Sequence, residues 1–241
     1  MLENLKMEMN VLSSRQKSKS SSRFFKTKKG EYGEGDVFIG LNVPEQRRLA
    51  KKYADIKMDD IRKLLSSNIH EYKLTALLIL LERYNKNDTE RKTIYDFYMR
   101  NLRYVNNWDL VDTTAPRILG NYLLKKDKSI LYDLANGGLW ERRVAIVSTH
   151  EFIRNGQYKD TLKICKILLD DSHDLIQKAC GWMLREVGKK DQKTLEGFLD
   201  KNSFSMPRTM LRYAIERLPD GKKRSYMKTK LNNLNSSYKN T

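Results

Sequence analysis

A chain of 241 residues is long enough to bury a substantial core, and 39% hydrophobic with 32% charged residues is a globular composition. Its formal charge of +17 favours a polyanionic partner and leaves DNA, RNA and an acidic protein surface all open. No window is apolar for long enough to span a bilayer, and the two cysteines, Cys165 and Cys180, sit inside apolar helical patterns as small core residues of a reducing compartment.

The charge is uneven. Residues 1–30 hold eight Lys/Arg against two acids and residues 203–241 hold nine against two, so the two ends supply +13 of the +17 and are expected to line or flank the surface that meets an anion. The first residues show no apolar run followed by a cleavage pattern, which sets the expectation of a cytoplasmic protein.

In chain order, Leu2, Leu5, Met9 and Leu12 recur at threes and fours and predict a first amphipathic helix over 1–13. SSRQKSKSSSRFF follows, polar and basic. It reads as a flexible arm that touches phosphate without reading bases, with Phe24 and Phe25 as its anchors. The glycines of KKGEYGEGDVFIG make a loop whose spacing is not that of a phosphate-binding loop. Asn42 as cap, Pro44 in the first turn and Glu45 at the third position start a helix that runs to about Ala54. Beyond it the pattern predicts helices at 58–66, 69–84, 88–103, 107–114, 116–124, 128–136, 139–154, 158–170, 173–187, 191–200, 206–218 and 220–229, with almost no strand signal.

Ala76, Ala145, Ala179 and Ala214 occupy similar contexts, and the steps between the last three are 34 and 35 residues. Small residues at such places let paired helices approach closely. The expected fold is therefore all-α, a HEAT-like or armadillo-like helical-repeat solenoid with a concave basic face suited to duplex DNA. The expected organisation is a basic N-terminal helical segment at 1–30, flexible in part, a repeat domain at 31–229 and a polar basic tail at 230–241.

The candidate site centres on NNWDLVDTTAP, which places Trp108 and Asp112 one helical turn apart on one face. Asn107 or Asp109 is suited to cap that helix, and core packing for Trp108 with a solvated or capping Asp112 is the competing reading. Arg143, three residues after Trp140, is suited to a bidentate phosphate contact or to an ordinary surface role. Lys178 and Trp182 share the helix of KACGWMLREVG, where Gly181 implies close packing or close ligand approach. Arg208 and Arg212, one turn apart at a helix start that Ser205 is placed to cap, make either a phosphate clamp or a solvated basic face. Neither a metal-ligand spacing nor a nucleotide-cofactor motif is present, so no cofactor and no metal are expected.

The segments NNWDLVD, LWERRVAIVSTHEFIR, HDLIQKACGWMLREVG and MPRTMLRYAIE, in this order, resemble the DNA alkylation repair family of HEAT-like DNA glycosylases, over roughly residues 20–229. The resemblance implies a helical solenoid that wraps double-stranded DNA and excises cationic N3- and N7-alkylated purines without extruding the base into a pocket. It also implies catalytic roles for Trp108, Asp112 and Trp182, and a phosphate contact for Arg143. The segment GEYGEGDVFIG departs from the family's best-characterised type.

One carboxylate suffices for such chemistry. An alkylated purine already carries positive charge and leaves as a neutral base, so no general acid is needed, whereas an ordinary glycosidic bond requires two carboxyl groups. A carboxylate near the deoxyribose stabilises the charge that develops there and orients the attacking water. A basic HEAT-like scaffold that binds nucleic acid without catalysis, or a solenoid for an acidic protein partner, fits the charge and the repeat equally well. A monomer suffices for binding DNA.

Overall fold

The computed structural model describes residues 1–237, with side chains as far as Lys228. The regular elements among them are helical: α1 (Leu2–Val11), α2 (Arg15–Phe24), α3 (Val43–Lys52), α4 (Met58–Leu65), α5 (His70–Lys86), α6 (Arg91–Arg100), α7 (Trp108–Thr114), α8 (Asn121–Leu123), α9 (Ser129–Ala135), α10 (Leu139–Arg154), α11 (Lys159–Ile167), α12 (Asp174–Lys190), α13 (Gln192–Asn202), α14 (Arg208–Ile215) and α15 (Asp220–Ser237). Among the described residues the single extended pairing is an isolated bridge between Val37 and Ile69. The chain forms two compact units, Met1–Tyr122 and Leu123–Thr241. Of the tail expected at 230–241, residues 230–237 belong to the backbone of α15 and 238–241 lie outside the described residues.

In the first unit, α5 is the central element. Its segment LTALLILL is buried on every side, because α3, α4 and α7 all pack against it. Helix α3 starts as its sequence dictates: Asn42 accepts from the Glu45 amide, Glu45 reaches back to the Asn42 amide, and Pro44 fills the first turn. Such a cap contributes about 1 kcal/mol.

Residues 15–24, expected as a flexible arm, instead form α2. Ser14 caps it, and the Ser18 hydroxyl donates to the Phe38 carbonyl at 2.7 Å. Gly40 allows the contact. Its φ of 80° lies in the left-handed region, and a Cβ there would collide with the Ser14 carbonyl oxygen and the Ser18 amide nitrogen. The polar composition of α2 hid a helix with no buried side chain, held to the following loop by the Ser18 hydroxyl and the close approach at Gly40.

The helix expected at 116–124 is also different. A π-helical turn, Pro116–Gly120, follows α7 directly and leads into the short α8. Proline at the start of that turn removes one amide from the α-helical ladder.

The second unit repeats helix pairs. α10 packs on α12 and α12 on α14, while α9 lies against α10, α11 against both α10 and α12, and α13 against α12. Ala145, Ala179 and Ala214, spaced by the period read in the sequence, lie buried on α10, α12 and α14. Gly181 sits where α12 meets α14: a Cβ there would stand 2.5 Å from the Met210 carbonyl oxygen and 2.5 Å from the Tyr213 Cβ. Helix α14 begins at Arg208 with Pro207 at the cap position and no side-chain cap, so Ser205 does not cap it as expected. Ser205 lies too far upstream of the first helical turn to do so.

Candidate functional site

The strand-like loop between α2 and α3 is folded onto the N-terminus of α5. Gly33 and Gly40 permit close backbone approach, and the buried Glu71 carboxylate accepts from the amides of Ile39, Gly40 and Leu41 at 3.1, 2.8 and 3.3 Å. The amides that would make this glycine-rich stretch an anion cradle are thus occupied by the protein's own carboxylate. The same folding carries Asp36 inside.

Asp36 accepts from Lys73 Nζ at 2.5 Å and lies 3.0 Å from His70 Nδ1, while His70 Nε2 lies 2.8 Å from Asp109 on α7. Two carboxylates and two cations balance, which is how a buried ionic cluster is tolerated. Burial of His70 disfavours its charged form, but the hydrogen bonds with Asp109 and Asp36 outweigh that and raise the imidazole to about 9. Asp36 is held below the usual carboxylate range: burial opposes the shift, and the bonds from His70 and Lys73 overcome it.

The turn that begins α7 is tied to this cluster residue by residue. Asn106 accepts from Lys73 Nζ at 2.9 Å. Asn107 is the cap, accepting from the Trp108 amide at 2.9 Å, and its own amide group reaches Asp36 at 3.5 Å. Asp109 takes His70. Of the two residues suited to cap the helix, Asn107 does so, and Asp109 is employed elsewhere.

Trp108 is half-buried at the first position of α7, one turn before the half-buried Asp112. Its indole stacks on Phe25 with ring centroids 5.3 Å apart and planes 18° apart, and meets Phe24 edge-on at 5.7 Å. Phe25 also stacks on Phe38 and abuts the His70 ring at 4.9 Å. One face of Trp108 is therefore covered, which limits any ligand contact to the remaining surface of the ring. Phe24 is 65% exposed at the end of α2. The Tyr98 hydroxyl, bonded to Thr114 at 3.1 Å, is pushed well up by burial, with the charge of Asp112 adding to the shift. A cavity of about 460 Å³ in this unit is lined by α2 and by Gly40–Asn42 and includes neither Trp108 nor Asp112.

In the second unit the expected residues are dispersed over three helices. Arg143 on α10 is only 5% exposed, and its Nη1 donates to the Leu175 carbonyl in the first turn of α12 at 2.6 Å. It is a helix-to-helix clamp, not an open surface arginine. Lys178 pairs with Asp174 one turn earlier at 2.6 Å. Trp182 is half-buried beside the His150 ring, centroids 5.7 Å apart, and burial holds that imidazole below its ordinary range. Arg208 donates to the Met227 carbonyl at 3.1 Å, and Arg212 is exposed.

The residues missed by sequence reading are the ring partners of Trp108 and the ionic cluster that ties the start of α7. Phe24 and Phe25 stood out only as anchors of the arm, and Asp36, His70 and Lys73 carry no motif. The one available signal was Asp109, a carboxylate beside the tryptophan that the cap did not need.

The model of the DNA alkylation repair enzyme family matches residues 5–218. The chain belongs to the DNA alkylation repair enzyme family. A solved structure described as a predicted DNA alkylation repair enzyme from Enterococcus faecalis superposes with a TM-score of 0.65 at 17% identity, over 86% of this chain and 97% of that one, and so shares the family's fold. No curated protein matches. Among the described residues no helix is long and apolar enough to cross a membrane.

Proposed function

We propose that this member of the family is a DNA glycosylase that hydrolyses the N-glycosidic bond of cationic N3- and N7-alkylated purines in duplex DNA. The observation that carries the reading is α7, where Trp108 and the half-buried Asp112 stand one turn apart on a helix whose start is tethered by Asn106, Asn107 and Asp109. Asp112 is assigned the stabilisation of positive charge on the deoxyribose and the orientation of water, and preorganised charge of this kind is worth about 10²–10³ in rate. Trp108 and Trp182 offer aromatic surface to the cationic lesion or sugar, about 0.5–2 kcal/mol each.

Arg143, Lys178, Arg208 and Arg212 are assigned to phosphate. The assignment for Arg143 is specific: its guanidinium is held to the Leu175 carbonyl, so it would act on phosphate from a fixed place. Domain roles follow the charge, with the basic segment 1–30 and the tail 230–241 flanking the anion and 31–229 holding the chemistry. The protein acts as a monomer, inside the cell and on DNA.

The selectivity of the reaction tests this. Methylated duplex should release 7-methylguanine and 3-methyladenine, and uracil-containing duplex should release nothing, because uracil lacks a cationic leaving group. Tight, salt-sensitive binding to both duplexes with no base released from either would identify a nucleic-acid scaffold instead.

A further inference from the structure

The cluster behind α7 is built too closely to be packing alone. Its members come from three elements: Asp36 from the glycine-rich loop, His70 and Lys73 from the first turn of α5, and Asp109 from α7. His70 is the only member that touches both carboxylates, at 3.0 and 2.8 Å through its two ring nitrogens, and it is 2% exposed. Both nitrogens facing carboxylates require both to carry protons, since a neutral ring has one donor. Phe38 stacks on the ring at 4.6 Å and Phe25 lies 4.9 Å away, and Phe25 is in turn stacked on Trp108. His70 thus meets the start of α7 twice, by a charged hydrogen bond to Asp109 and through Phe25 to the neighbouring indole.

We propose that His70 is a positioning residue for the reaction assigned to Asp112: as an imidazolium gripping Asp36 and Asp109, it fixes the first turn of α7 and with it the orientation of Trp108 and Asp112. The proposal rests on the glycosylase reading of α7. Loss of the ring proton removes one of the two grips, and it leaves Asp109, whose Oδ1 makes no hydrogen bond, without a charged partner. The charged groups facing His70 are Asp36 from the loop and Asp109 from α7, with Lys73 of its own helix acting through Asp36, and the Phe25 and Phe38 rings lie against the imidazole. With the imidazole raised to about 9, the grip is complete at neutral pH and released in the alkaline range.

The test is single-turnover release of 7-methylguanine from methylated duplex, with blanks lacking protein subtracted, across pH 6–10, for the intact protein, His70→Gln and Asp109→Asn. Duplex affinity is measured alongside. The expected result is a rate for His70→Gln lower by about 10–100-fold, as for a misplaced reacting group, with affinity changed by less than about threefold. The wild-type rate should fall near pH 9 and the variant should lack that limb; Asp109→Asn should shift the limb to lower pH, since His70 keeps one carboxylate of two. An unchanged rate, or a limb that persists in His70→Gln, overturns the proposal, as does a parallel loss of rate and affinity.

Should His70→Gln fail to fold, the ring protons of His70 followed by NMR in the wild type decide. Their loss must coincide with the midpoint of the rate, and a separate midpoint rejects the positioning role. Wild-type protein that releases no methylated purine at any pH rejects the glycosylase reading itself, an outcome distinct from an active enzyme indifferent to His70.

Discussion

At the scale of single residues, the molecule uses side chains of functional type as structural ties. Arg143 is the clearest case. Truncation in Arg143→Ala removes the charged bond to the Leu175 carbonyl that ties α10 to α12, so denaturant unfolding should show a loss of about 1–3 kcal/mol in addition to any loss of DNA affinity. A variant as stable as the wild type would contradict the clamp. His70 makes a second tie, and its contribution depends on pH with a defined sign. The folded state raises it from 6.5 to about 9, so its stabilisation is complete below pH 6.5 and is lost as pH rises through 9. The span corresponds to a loss on the order of 3 kcal/mol, to be read from denaturant midpoints at pH 6 and pH 9.5. Equal midpoints in the wild type would remove the charged histidine from the account.

At the scale of elements, helix periodicity was highly legible. The expected 139–154 coincides with α10, and α5, α12 and α13 lie within about three residues of expectation, because each carries an apolar stripe at threes and fours. The capping box of α3 was readable because Asn42, Pro44 and Glu45 are local chemistry. Legibility ended where non-local contacts decide. Apart from Phe24 at its end nothing apolar marks α2, whose hold on the loop depends on Ser14, Ser18 and Gly40, and nothing local announces that Asp36 pairs with residues 34 and 37 positions away. Trp108 and Asp112 were legible as neighbours on one helix, but the stacked Phe25 was not, because it comes from a segment of the opposite character. Gly181 was legible as a close approach, and its partner is now α14. Gly181→Ala should therefore lower stability by about 1–3 kcal/mol despite the better helix propensity of alanine, and a more stable variant in thermal melts would show the approach to be loose.

At the scale of the whole molecule, +13 of the +17 lies in the two end segments, and each neutralised phosphate contributes its share to a salt-dependent affinity. The exposed Arg212 provides a simple case: Arg212→Ala should weaken binding to all duplexes alike and reduce the slope of log affinity against log salt by about one. An unchanged slope would take Arg212 off the DNA. The chemistry assigned to this molecule rests on Asp112. It is tested most directly by following 7-methylguanine and 3-methyladenine release from methylated duplex by the wild type and by Asp112→Asn side by side, with duplex affinity measured for both. The expected result is release by the wild type, a rate lower by about 10²–10³ in the variant and unchanged affinity. Release at equal rates by both proteins would contradict it.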